Sequence, residues 1–262
     1  MTVPKVLIVY YSQTGQLSAL AQYFAKPLQQ AGVVTDDYDA VVIAYTVWFL
    51  APSQPITAFL QRPETRRLLA GKPVITLIGC RNMWLAAQEK MKTLLAANGA
   101  QLVGNIVKTD ACGTAASFVT TPAWLLTGNK RYFRSLPAAG IAENELADGA
   151  RFGEKLRDSL LAGAPLDETL FQNMGAARVD EKLIFSEKAA SRSFYLWGRL
   201  LMAAGRVSPL LRRALLAVYI VFLITLILTV IPISIVLKKL LHPLLKRRLA
   251  QAKHHYAQPS GE

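Results

Sequence analysis

The chain has 262 residues, of which 52% are hydrophobic, and carries a formal net charge of +13 at pH 7. That length holds one α/β domain of about 150 residues and something more. The charge argues against a nucleic-acid role: from Arg206 onward nine Lys or Arg residues stand against one acidic residue, Glu262, and they flank an apolar run, a pattern that suits anionic lipid headgroups better.

Residues 5–10, KVLIVY, form a near-continuous apolar run rich in β-branched side chains, as expected of a strand covered on both faces of a parallel sheet. Ser12, Gln13, Thr14, Gly15 and Gln16 then turn the chain. Apolar Leu17, Leu20, Ala21 and Phe24 follow at helical spacing, predicting a helix to about residue 30. The turn therefore sits at a helix N-terminus, where free backbone N–H groups favour anions. Hydroxyls at Ser12 and Thr14, with Gly15 permitting close approach, suit a phosphate monoester, although an ordinary capped turn has the same composition.

The chain then runs almost directly through residues 32–39 into the next strand, residues 40–45, leaving little room for a second strand and its crossover helix. That strand delivers Thr46, Val47, Trp48 and Phe49 into a loop closed by Pro52 and Pro55. Two adjacent aromatics at the C-terminal end of a strand favour a ligand site over simple packing. A short helical stretch at 54–66 precedes a strand at 72–79, the segment Cys80-Arg81-Asn82-Met83-Trp84, and a helix over 85–97. A further strand is expected over 101–108. An exposed basic turn at 127–131 borders the expected pocket opening, and a helix over 143–161 closes the domain.

Residues 163–192 read as a connector with a short packed piece at 182–185, and 194–204 as an amphipathic helix, at a bilayer surface or docked on the domain. Residues 214–237 contain no charged residue and predict a transmembrane helix. The expected division is thus 1–162, 163–205 and 206–262. No signal peptide precedes the first strand, so the chain is expected at the inner (cytoplasmic) membrane with its α/β domain facing the cytoplasm. Cys80 and Cys112 are the only cysteines, and the three histidines, His242, His254 and His255, all follow the apolar run. Thiol catalysis is disfavoured on that ground, and no metal-binding motif is present.

The loop resembles the S/T-x-T-G-x-T phosphate loop of flavodoxin-like proteins at Ser12, Thr14 and Gly15, with Leu17 in place of the last Thr and Ser18 following. The resemblance implies a three-layer α/β fold with a parallel sheet, strand order 2-1-3-4-5 with strand 2 shortened or lost, and FMN as cofactor. It places Ser12, Gln13, Thr14, Gly15, Gln16 and Ser18 at the phosphate. It sets Thr46, Val47, Trp48 and Phe49 at the ring face, and Cys80, Asn82, Met83 and Trp84 at the ring edge. The segments YYSQTGQL, VWFLAPSQPITAFL and KPVITLIGCRNMWL, with the C-terminal apolar run, resemble more closely the proteins named dialkylresorcinol condensing enzymes. That likeness implies an FMN oxidoreductase that aromatises a cyclohexanedione supplied by a partner ketosynthase, acting on a lipophilic substrate among membrane lipids. Tyr11 or Arg81 would steady an enolate. An NAD(P)H:quinone reductase and a non-enzymatic scaffold are the alternatives, and a homo-oligomer stays open.

Overall fold

The computed structural model describes residues 4–28, 38–226, 229 and 247–261. In chain order they form β1 (Val6–Tyr10), α1 (Gln16–Ala25), β2 (Ala40–Trp48), β3 (Ala51–Pro52), α2 (Gln54–Leu60), α3 (Pro63–Leu69) and β4 (Pro73–Cys80). Then come α4 (Leu85–Ala97), β5 (Gln101–Thr109), α5 (Gly113–Thr127), α6 (Glu143–Ala147), α7 (Gly149–Leu161), α8 (Glu181–Val207) and α9 (Pro209–Thr225). They divide into two compact units, one of Met1–Val179 with Tyr256–Glu262, the other of Asp180–His255.

In the first unit β1, β2, β4 and β5 lie side by side in that order, all parallel, while β3 turns back antiparallel on β2. Residues 41–45 and 74–79 are buried without interruption because helices cover both faces of the sheet. This is the expected parallel α/β architecture, in the order 1-3-4-5 of a doubly wound sheet. The region where its strand 2 was sought, residues 29–37, lies outside the described residues.

On one face α1 buries Leu17, Leu20, Ala21 and Phe24 against Val42 and Ala44 of β2, Ile75 and Leu77 of β4, and Phe152 and Leu156 of α7. Phe171, from the segment after α7, completes this layer and meets Phe152 edge to face at 5.5 Å. On the other face α4 is tied to the sheet by a buried polar chain. Tyr45 donates to Gln88 Oε1 at 2.7 Å, Gln88 Nε2 to Thr76 Oγ1 at 3.0 Å, and Thr76 to Asn105 Oδ1 at 3.0 Å. The outer edge of β5 is covered as well: Val107 N–H donates to the Ala176 carbonyl at 2.8 Å and Asn105 N–H to Ser260 Oγ at 2.6 Å.

Lys108, buried on β5, reaches out to α6 and α7 and donates to Glu145 at 2.8 Å and Asp148 at 2.6 Å. Burial pushes the Asp148 carboxyl up, but the bonds and charges of Lys108 and Arg151 outweigh it and hold it below its ordinary value. A carboxylate so depressed contributes stability above its unfolded value, near pH 4, and that stability is lost as pH falls through the folded value below it. Lys108→Met is expected to cost about 1 kcal/mol near neutral pH. The gap to the parent chain should close on acidification, as denaturant titrations at several pH values would read.

In the second unit α8 is one continuous helix that runs through both short pieces expected at 182–185 and 194–204. Asp180 caps it by accepting from Lys182 N–H. Ser208 ends it and caps α9 in turn, and Trp197 then meets Tyr219 and Phe222 at 5.0 and 5.3 Å.

The expected transmembrane helix is corrected here. Among the described residues no helix is long and apolar enough to cross a membrane. Within α9 the uncharged part begins only after Arg212 and Arg213, leaving about 12 residues; at about 1.5 Å each they span about 18 Å, short of about 30 Å of hydrocarbon. The rest of the apolar run, residues 227–228 and 230–237, lies outside the described residues. Assignment of the chain to the inner membrane rested on that helix and falls with it.

Candidate functional site

Because the four long strands are parallel, their C-terminal ends share one rim of the sheet, where α/β folds bind ligands. The rim is built from the loop after β1, the β2–β3 hairpin and the segments after β4 and β5.

The first loop bends at Gly15, whose φ of 79° is a conformation glycine adopts without strain. Gln13, Thr14 and Gly15 are exposed, and no side chain caps α1, which leaves its first N–H groups without a side-chain partner, as an anion site requires. Ser12 Oγ is buried and has no hydrogen-bond partner. Gln16 is used otherwise: its Nε2 donates to the Ile141 carbonyl at 2.8 Å and its Oε1 accepts from Ile141 N–H at 3.2 Å. That exchange locks the loop before α6 onto the start of α1. Ser18 Oγ accepts from Gln22 one turn along. Leu17, at the position where a hydroxyl was sought, is 1% exposed in the core. Its Cδ1 lies 3.1 Å from where a Cβ on Gly79 would stand. Packing against the bare end of β4 therefore explains a leucine there.

The β2–β3 hairpin turns on two residues, Phe49 and Leu50, with Val47 opposite Pro52 and Trp48 opposite Ala51. Both turn residues have positive φ, 48° and 58°. A two-residue hairpin of this kind normally carries Asn-Gly, and an L side chain in the left-handed region costs about 1–2 kcal/mol. Leu50 has a packing reason, being 6% exposed, whereas Phe49 is 77% exposed and holds a large ring out at the rim. Trp48 is half-buried and meets the Tyr11 ring edge to face at 5.8 Å. Thr46 Oγ1 and Ser53 Oγ, at either base of the hairpin, are buried without partners, as Ser12 Oγ is. A buried hydroxyl left unpaired costs about 1–3 kcal/mol. Three of them cluster at adjacent strand ends.

After β4, the Cys80 and Arg81 carbonyls both accept from Asp110 N–H, at 3.0 and 3.1 Å, which joins the β4 and β5 loops. Burial foremost lowers the pKa of the Arg81 guanidinium, while the charge of Asp110 opposes that shift. Asn82 and Met83 are half-buried beside it. Trp84 is 2% exposed and opens α4 from inside the core, so it supports the rim from beneath. Tyr11 and Arg81 follow strands separated by β2, two strand spacings or about 10 Å apart along the rim.

Asp110 escaped the reading of the sequence. Its carboxylate accepts from Cys112 N–H at 2.9 Å, Gly140 N–H at 2.9 Å and Thr121 Oγ1 at 3.5 Å. The turn it makes with Cys112 was a local signal, an Asp directly after a strand. The bond to Gly140 had none. Neither Cys80 nor Cys112 is in a disulfide, and burial foremost pushes the Cys112 thiol up, away from thiolate chemistry.

No protein-family model matches the chain, and no curated protein matches it. Among solved structures it is similar to one titled "Structure of a flavodoxin from the domain Archaea". The two share 13% identity over 60% of this chain and 99% of that one, with a TM-score of 0.41.

Proposed function

We propose that the chain is an FMN-dependent oxidoreductase. The observation that carries the reading is the pair of buried, unpartnered hydroxyls, Ser12 Oγ and Thr46 Oγ1, on adjacent strand ends beside an exposed ring in a strained turn. Strain and unsatisfied polar groups persist where function requires them. The donor set fits the cofactor: the Ser12 and Thr14 hydroxyls and the first turn of α1 hold the phosphate, Phe49 covers a ring face, and Arg81 offers positive charge toward the ring's polar edge.

Bound there, FMN supplies the two-electron acceptor that aromatising a cyclohexanedione to a resorcinol requires. The dione is the finer form of the proposal, and its support is the sequence resemblance; a ketosynthase would make it. Arg81 would steady the enolate of such a substrate. Asp110, with both carboxylate oxygens committed to the rim's backbone, favours the charged form of that guanidinium and is not the base.

The test is the visible absorbance spectrum of the purified protein, followed by FMN titration of any colourless preparation. A bound, reducible flavin is expected. Failure of folded protein to bind FMN would end the reading. Ser12→Ala should weaken FMN by about tenfold, the worth of one charge-assisted hydrogen bond. Without cofactor the same variant should melt no lower than the parent, since the hydroxyl it removes bonds nothing there.

A further inference from the structure

Residues 130–139 form a closed surface loop, its ends joined by Ala139 N–H donating to the Lys130 carbonyl at 2.9 Å. The loop is internally braced. Leu136 N–H donates to the Phe133 carbonyl at 3.3 Å, Arg131 N–H to Asn129 Oδ1 at 2.9 Å, and the Tyr132 and Phe133 rings meet edge to face at 5.0 Å. It borders a half-open surface pocket of about 250 Å³ lined by Arg131, Phe133, Arg134, Leu136, Pro137 and Ala138. Two arginines thus line one pocket together with four apolar residues.

From Ala111 to Ala142 the sequence holds no Asp or Glu, and among the described residues neither Arg131 nor Arg134 forms an ion pair. Two like charges beside one cavity repel, and an anion bound between them removes that cost. Guanidinium forks match the paired oxygens of a phosphate or carboxylate. Phe133, Leu136 and Pro137 would have no role toward a bare inorganic ion. The volume suits an anionic group on one ring, and is below that of sites for larger ligands.

We propose that this loop is a binding site for a small organic anion, a phosphate or carboxylate carried on an apolar ring. It is separate from the site described above and does not rest on the flavin reading. The loop runs directly into Gly140 and Ile141, which Asp110 and Gln16 hold at the rim, so an occupant would stand next to the rim without using its groups.

Isothermal titration of the full chain with phenyl phosphate, benzoate, benzyl alcohol and inorganic phosphate tests it. Phenyl phosphate or benzoate, whichever binds more tightly, identifies the anion. Either should bind more tightly than benzyl alcohol, which lacks the charge, and than inorganic phosphate, which lacks the ring. The double variant R131A/R134A should weaken that binding by about tenfold or more. Both arginines are exposed, so this variant should fold, which its melting temperature checks; R131K/R134K, keeping charge without the fork, should fall between. Ser12→Ala should leave the binding unchanged, which separates this site from the proposed phosphate loop. Unaltered binding in R131A/R134A, equal binding of benzyl alcohol or inorganic phosphate, or no binding of either organic anion would overturn the proposal.

Discussion

Gly153→Ala is expected to lower the unfolding free energy by about 3 kcal/mol, at the upper end for overpacking a core, and the melting temperature by about 6–12 °C. Gly153 lies on α7 where that helix crosses α1, and a Cβ there would collide with the carbonyl oxygen of Phe24. The obstacle is backbone, so no side chain can swing aside. Gly149, one turn earlier, is less crowded: a Cβ there would fall 2.9 Å from Leu20 Cδ1, and that methyl can give. Gly149→Ala should therefore cost less. Gly198, inside α8 with nothing within 4 Å of its added Cβ, marks the opposite limit: Gly198→Ala should stabilise its helix by about 0.5–1 kcal/mol through propensity alone. Thermal unfolding followed by circular dichroism checks all three. An unchanged melting temperature for Gly153→Ala would mean that α1 and α7 do not approach so closely. Because Gly15 is the N-cap of α1, displacing that helix should also loosen the phosphate loop, and FMN affinity should fall with stability.

How much of this could be read beforehand follows from which interactions are local. The runs at 40–45 and 72–79 announced buried strands because a parallel sheet covers both faces, and residues 41–45 are all fully buried. Leu17, Leu20, Ala21 and Phe24 announced α1 through their spacing, and all four enter the core. What could not be read depends on partners far along the chain. Gln16 looked like a phosphate-loop residue, yet Ile141, 125 positions away, takes both ends of its amide. An aromatic residue after a strand, such as Trp84, is equally consistent with a ring contact and with the core; only packing decides. The apolar run at 214–237 showed that the segment avoids charge, but not where a helix would begin or end. Arg212 and Arg213 inside the first turns of α9 cannot be placed from composition.

Phe49→Asn should raise stability and weaken cofactor binding together, and that opposition is the sharpest consequence of the hairpin geometry. Asparagine tolerates the left-handed region that phenylalanine resists, and the ring is 77% exposed, so its removal gives up little burial. A gain of about 0.5–1 kcal/mol is expected without cofactor. If the ring covers a face of the flavin, its loss forfeits a stacking interaction of about 0.5–1.5 kcal/mol together with the apolar area it buries, and FMN should dissociate about tenfold more readily. Phe49→Ala separates the two effects: alanine removes the ring but keeps a Cβ at positive φ, so affinity should fall as far while stability gains less. Leu50 stays unchanged throughout because it is buried. A Phe49→Asn protein that is more stable and binds FMN as tightly as the parent would assign the strain to the turn alone. One that is less stable would show that the ring packs in the folded protein, and the strained turn would then serve the fold rather than the ligand.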